Sequence, residues 1–518
     1  MGSESRKRNW IGNRWWWPRL PFVCLLVFCG AWAYRPALDR VFFSDQLGYF
    51  AELHGETSLA SGWRLIDYGV QRQYSRGDQL LYRPLLFAGL ALENAGFKRD
   101  FRLWNAANLG MHLAVSYLLF EILWRIRRSL LACGFALWFA LLASNFELVT
   151  WCHLGGYMLG YGLLLLALYA RGRMDEENAG SGWCWTYGLA IAGAMLEHEI
   201  AVAVCVGLAL HGLWFSARPP KSRTWPRIAA LGAPLAIYGA LYALHAFRCE
   251  RLFWWYSSGG GRGSENLADL PALLLHWTQH VLLPRMDQLQ CRVGERSAWL
   301  SWPGGMTSGG MAVVLLGTGL ILCLRPGGTW RRQAPIWTFG NFLLILIVAY
   351  AGMNLLGRPG YVMQVPYYDY FPALFGSVWL YAHVDAAGVG RTGRNGALIC
   401  LVLLALLNGW QVRQISEQIR EIHRPWAHFL GWAERVVRPR LADRGFTFAI
   451  QNAPAELDLN GEVMVGFTDQ NQKTGRHLFR VLYGQAFCPE NPSEIFVYPG
   501  LGEAAQAALP VVERTHAE

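Results

Sequence analysis

The stretch LWFALLASNFELVTWCHLGGYMLGYGLLLLALYA, residues 137–170, has Glu147 as its only acid and carries no Lys or Arg. It joins an apolar run that begins near residue 130 to another that begins near 153, with SNFELVTW between them. Runs of this length read as membrane-spanning helices, and the polar residues between them read as a short turn at one membrane surface.

The rest of the chain extends that pattern. Of 518 residues, 53% are hydrophobic and only 16% are charged, and there are 25 Trp. That balance is far from that of a soluble domain and describes a polytopic, all-α membrane protein. The net charge of +10 does not indicate nucleic-acid binding, because Lys and Arg cluster in short loops between apolar runs, where they set topology. No CxxC or Cys/His metal spacing is present, and the glycine run Gly259–Gly261 lacks the Lys-Ser/Thr of a phosphate loop.

Apolar runs begin near residues 20, 103, 130, 153, 183, 199, 227, 309, 335, 368 and 396, which predicts about 11 transmembrane helices. The basic N-terminus at 1–19, Arg125–Arg128, Arg171–Arg173, Arg218–Arg227, Arg325–Arg332 and Arg391–Arg394 then share one face, as cytoplasmic loops do. The first run, Leu20–Ala33, reads as a retained signal anchor. A transmembrane domain over 20–410 follows, with an extracytoplasmic loop at 35–102 and an interfacial helix at 270–284. The tail at 411–518 is predicted to be extracytoplasmic. It opens with a charge-rich amphipathic helix and continues as a small α/β appendix whose strand-like runs are FTFAI, EVMVGF, HLFRVLYG and EIFVYP.

Polar groups at membrane depth are costly and face a protein interior or a water-filled cavity, so acids, His and Asn at span ends are the informative residues. Asp45, in VFFSDQLGYF, lies just beyond span one, and Arg83 sits in the tetrapeptide YRPL. Asn108 and His112 lie one helical turn apart at the start of span two. Glu147 and Trp151 occupy the turn between spans three and four, and Glu197, His198 and Glu199 the turn between spans five and six. The topology opens all of these to the same side. Taken singly, each has an ordinary structural reading: Asp45 as a loop acid, and Asn108 and His112 as hydrogen-bonding partners of neighbouring helices.

Taken in order, these segments resemble the membrane half of GT-C glycosyltransferases, in particular relatives of the tetratricopeptide-linked protein O-mannosyltransferases. The resemblance rests on an acid after span one, on YRPLLFAGLALENAGFKRDFRLWNAANLGMHLAVSYLLF, and on the block at 137–170 with Glu147 four residues before Trp151. MLEHEIAVAV, LLLHWTQHVLLP and YYDYFPALFG are similar to later segments of that family, so the likeness covers most of residues 20–385. It implies an enzyme of the plasma membrane, the bacterial inner membrane by the family's usual setting. Such an enzyme takes a sugar from a polyprenyl-phosphate-linked donor to an extracytoplasmic acceptor.

The resemblance makes Asp45 the general base and Arg83 a residue that positions the site or the phosphate. Asn108, His112, Glu147 and Glu199 then line or brace the cavity, with His198 or Arg358 as a further cation. The chain departs from the family at several places. It has Ser44-Asp45-Gln46 where relatives often carry two adjacent acids, His198 for a Lys, Gly155 and Tyr157 for an Arg and an Asp, and no Arg in the late aromatic segment.

The implied reaction needs a carboxylate within reach of the acceptor hydroxyl and cationic groups near the departing phosphate oxygen. A divalent cation, Mg or Mn, could assist that oxygen, but one acid in SDQ does not make a preformed metal site. Two other readings use the same residues: a transporter or lipid-carrier flippase, and a GT-C-like scaffold that has lost its activity. No repeat of the transporter kind is visible.

Overall fold

The computed structural model describes residues 19–41, 58–63, 82–174, 181–198, 201–202, 204–205, 221–248, 273, 369–386, 391–442, 446–451, 492–497 and 512–513. The interfacial helix predicted at 270–284, apart from Leu273, and the runs beginning near 309 and 335 lie outside them, as do EVMVGF and HLFRVLYG.

The described residues are mainly helical. Among the described residues, four helical stretches are long and apolar enough to cross a membrane: Arg19–Asp39, Phe101–Ile126, Ile228–Arg248 and Thr392–Glu421. A fifth candidate is the pair Leu130–Leu141 and Ala143–Thr150, bent by 46°. Large side chains such as Phe28, Leu103, Phe247 and Ile399 remain exposed on these helices, which suits hydrocarbon as the surrounding solvent.

Helix α1 (Arg19–Tyr34) follows the first predicted span closely and runs into a 3-10 turn at Arg35–Asp39. Its first residue, Arg19, grips Glu121 with both ends of its fork, at 2.6 and 2.9 Å, and Tyr117 donates to the same carboxylate at 2.7 Å. Helix α2 (Pro84–Phe97) begins with Pro, which supplies a helical φ where no backbone donor is needed. Asp100 caps α3 (Phe101–Ile126) by accepting from the Arg102 and Leu103 amides, and Ser129 caps α4 (Leu130–Leu141) through the Leu131 amide.

At Leu142 the chain bends instead of continuing as a helix. A broken helix inside a membrane must find new partners for the backbone groups it frees. Here the Asn408 side chain accepts from the Ala143 amide at 3.2 Å, and the Asn145 side chain donates to the Phe139 carbonyl at 2.8 Å. The bend turns Phe146–Thr150 inward, so Glu147 and Thr150 are buried.

Helix α5 (Gly155–Met174) packs most extensively on α6 (Gly182–Glu197), which also meets α7 (Lys221–Arg248). Helix α8 (Tyr370–Ala386) packs against α3 and α4, and the Tyr381 hydroxyl donates to the Arg127 carbonyl at 2.7 Å. The core thus runs through Phe120, Trp138, Phe139, Met158, Tyr161, Ile191 and Phe371.

Helix α9 is one element, Arg391–Val436, of 46 residues. At 1.5 Å per residue it is about 69 Å long, against a hydrocarbon core of about 30 Å. The boundary read at 410/411 therefore falls inside a continuous helix, because the change from apolar to amphipathic composition leaves the helical period unbroken. Beyond it, β1 (Phe448–Gln451) pairs in parallel with β2 (Glu494–Val497), which pairs antiparallel with β3 (Val512–Glu513). These strands include parts of FTFAI and EIFVYP, and Arg440 ties the end of the helical region to Glu494 on β2.

Candidate functional site

Three turns that are far apart in sequence meet around Arg83. The residue precedes α2 and is 7% exposed, so its guanidinium is largely withdrawn from bulk water. Its Nη1 donates to the Tyr157 hydroxyl on α5 at 3.1 Å, and the guanidinium carbon lies 5.4 Å from the centre of the Tyr157 ring. The same ring meets His198, just after α6, edge to face at 4.3 Å. Arg83 and His198 are thus brought together through a tyrosine.

Two acids, Glu197 and the partly buried Glu93, lie on the helices that carry this group. Glu197, the last residue of α6, is 2% exposed, and its carboxylate lies where a Cβ on Gly156 of α5 would overlap it. Glu93 lies on α2, outside the spanning segments, and burial pushes its carboxyl up to about 8.

A second polar group forms where α1 leaves the membrane. Arg40 is 2% exposed and donates to Thr150 Oγ1 at 2.5 Å, while its own carbonyl accepts from the Asn105 side chain at 2.8 Å. The next amide, on Val41, donates to His423 Nδ1 on α9 at 3.3 Å. Arg40 and Arg83 both act through space on the buried His153, which links the two groups into one polar region. His153 packs edge-on against Trp151 at 4.7 Å.

Asn108 contributes from α3. Its side chain donates to the Trp151 carbonyl at 3.2 Å, and a Cβ on Gly155 would come within 2.5 Å of its Oδ1. The glycine is what lets α5 start so close to α3.

His112, one turn further along α3, has a different place. It is fully buried, with Nε2 2.9 Å from the Ala140 carbonyl and Nδ1 3.0 Å from the Tyr370 hydroxyl. A carbonyl can only accept, so Nε2 carries the proton and Nδ1 accepts from Tyr370. The ring braces α3, α4 and α8 instead of joining the Arg83 group.

Of the residues read from the sequence, Arg83, Asn108, His112, Glu147 and His198 are described and buried. Asp45, Glu199 and Arg358 lie outside the described residues. The sequence reading did not single out Arg40, Glu93 or His153, took Tyr157 only as a departure from the family pattern, and named Glu197 as a turn residue without giving it a role in the site. A signal for Glu197 was present: the buried α6 residues Tyr187, Ala190, Ile191 and Ala194 follow the helical period, which brings position 197 onto the same face. Among the described residues, no three His, Cys, Asp or Glu gather as a metal-binding group.

No family model and no curated protein matches the chain. Two crystal structures of ArnT from Cupriavidus metallidurans align with it. The apo state aligns over 94% of each chain at 15% identity with a TM-score of 0.36. The state bound to undecaprenyl phosphate aligns over 96% of each chain at 13% identity with a TM-score of 0.31. Likenesses at this level fix neither family nor activity.

Proposed function

We propose that the protein is a membrane glycosyltransferase that takes a sugar from a polyprenyl-phosphate-linked donor and passes it to an acceptor on the extracytoplasmic side. The N-terminus is then cytoplasmic and the C-terminal tail extracytoplasmic. The observation that carries this reading is the convergence of Arg83 with Tyr157 and His198, from three turns that the topology assigns to one membrane surface. A buried cation at the end of several helices suits a donor whose tail stays in the bilayer while its phosphate enters a polar region.

In this reading Asp45 is the general base. Its chain segment starts from a fixed point, because Arg40 and Val41 are tied to Thr150, Asn105 and His423. Four residues reach no more than about 14 Å, so Asp45 is tethered to the polar region by Val41. The carboxylate takes the proton of the acceptor hydroxyl as its oxygen bonds to the anomeric carbon. The bond from that carbon to the phosphate oxygen breaks, and Arg83, helped by His198 or Arg358, stabilises the charge left on the phosphate. Asn108, Glu147 and Glu199 shape the surroundings, and His112 holds the helices from which Asn108 projects.

The test incubates the purified protein with polyprenyl-phosphate sugars and compares wild type with Asp45→Asn. Sugar release or transfer by wild type, lost in the variant, is expected. Equal turnover by both proteins would remove Asp45 from the reaction, and no turnover of any such donor would remove the glycosyltransferase reading.

A further inference from the structure

Helices α6 and α7 touch backbone to backbone where they cross, since a Cβ on Gly188 would stand 3.0 Å from the Ala230 carbonyl oxygen. At this crossing lies a groove of about 470 Å³, lined on α6 from Ser181 to Leu196 and on α7 from Ala229 to Tyr238. Between Ser181 and Tyr238 its walls are apolar or small side chains, such as Ala192, Leu196, Ala233 and Ile237. Trp185, Leu189 and Ile237 stay exposed along it. One end of the groove adjoins the Arg83 group. Leu196 leads directly to Glu197 and His198, and the Tyr238 ring lies 6.1 Å from that of Tyr82, the residue before Arg83. Tyr82 also meets Tyr242 at 6.4 Å and His245 at 5.1 Å, so a cluster of rings joins the groove to the buried cation.

The lining narrows the choice of occupant. Peptide backbone in a bilayer needs hydrogen-bond partners, which these walls do not offer. One turn of a helix about 10 Å across fills roughly 420 Å³. The groove follows α6 for about 22 Å, so its 470 Å³ cannot seat a helix along that length. A single hydrocarbon chain needs neither the partners nor the width.

We propose that the α6–α7 groove seats the isoprenoid chain of the donor's lipid carrier, with Tyr82 and Tyr238 beside the unit next to the phosphate. This rests on the polyprenyl-phosphate donor and on the phosphate role given to Arg83 above. A chain in the groove brings its phosphate to the Arg83 end, which an acyl chain of the surrounding bilayer has no reason to favour. An isoprene unit spans four bonds and extends about 5 Å, so the groove holds about the first four units. Units further from the phosphate lie in the bilayer, and the protein reads carrier length only up to about four units.

The test measures binding of dimethylallyl phosphate (one unit), a C20 polyprenyl phosphate and undecaprenyl phosphate to the full-length protein in detergent. Wild type is expected to bind the two longer lipids within about twofold of each other and the one-unit phosphate at least tenfold more weakly. Ala233→Phe fills the groove from an exposed position about 7.5 Å below Tyr238. It should weaken both longer lipids about tenfold and leave the one-unit phosphate unchanged. Ala229→Phe, one turn lower on the same wall, should also weaken them, and it replaces Ala233→Phe if that variant does not fold. Gly239→Phe adds the same bulk where nothing lies within 4 Å, and should bind all three as wild type does.

Undiminished binding of the longer lipids by the groove variants overturns the proposal, as does wild-type affinity that keeps rising well beyond the C20 lipid. Either result leaves the glycosyltransferase reading intact. A wild type that binds none of the three phosphates removes the polyprenyl-phosphate donor, and the groove proposal falls with it.

Discussion

Arg83 Nη1 donates to the Tyr157 hydroxyl at 3.1 Å with its guanidinium stacked over the same ring, so one tyrosine both orients and shields the buried cation. A Lys at 83 would keep the charge but lose the planar fork and its stacking. Arg83→Lys is therefore expected to lower transfer from a polyprenyl-phosphate sugar about tenfold or more. Tyr157→Phe removes one hydrogen bond, worth about 1 kcal/mol, and should cost only a few-fold. A larger loss from Tyr157→Phe than from Arg83→Lys would contradict this ordering.

His112 makes a separate prediction, because both ring nitrogens are engaged, by Ala140 and Tyr370, in a fully buried place. His112→Ala removes two hydrogen bonds and leaves a cavity, and should destabilise the protein by about 2–4 kcal/mol. Tyr370→Phe leaves Nδ1 without its donor and should cost about 1 kcal/mol. Denaturant unfolding in mild detergent measures both. Lipid-phosphate affinity should stay unchanged in Tyr370→Phe, since His112 braces helices away from Arg83; a fall in that affinity would place the ring in the site after all.

Much of this arrangement was legible in the sequence because the bilayer imposes a simple grammar of long apolar runs and polar punctuation. The turn at Glu147 and Trp151 and the pairing of Asn108 with His112 on one helix face follow from it directly. The sequence could not say that SNFELVT would bend inward by 46° and bury Glu147, because that depends on Asn408 capping the Ala143 amide from 265 residues away. Arg40 was passed over for a similar reason. A lone Arg at the end of a span reads as an interfacial cation, and only Thr150 from another helix pair makes it a buried anchor. That Glu197 closes α6 and is buried turned on where the helix ends, the least legible feature of a helix in sequence.

Glu93 should leave a mark on stability as a function of pH. Burial raises its carboxyl to about 8, whereas the unfolded chain ionises near 4.5. Between those values the unfolded state gives up a proton that the folded state keeps, so the Glu93 contribution to stability is complete below about 4.5 and is lost as pH rises toward 8. Glu93→Gln should remove this part of the decline and raise the melting temperature near pH 8 while changing little at pH 4.5. An unchanged slope in the variant would show that the carboxyl is not held protonated in the folded protein.

The opposite dependence is expected at His423, where burial first and the Arg40 charge second hold the imidazole down to about 3. The unfolded chain takes up that proton near 6.5, so its stabilising contribution is complete above about 6.5 and is lost as pH falls toward 3. The geometry agrees, since Nδ1 accepts from the Val41 amide and a proton there would set two donors against each other beside a buried Arg. His423→Gln should therefore flatten the fall in melting temperature between pH 6.5 and 4. Val41 leads directly to the segment bearing Asp45, so the same variant should also reduce transfer several-fold at pH 7, where wild-type His423 is neutral. Full activity at pH 7 together with a flattened melting profile would show that His423 stabilises α9 without positioning Asp45, and the tether assigned to Val41 would then be wrong.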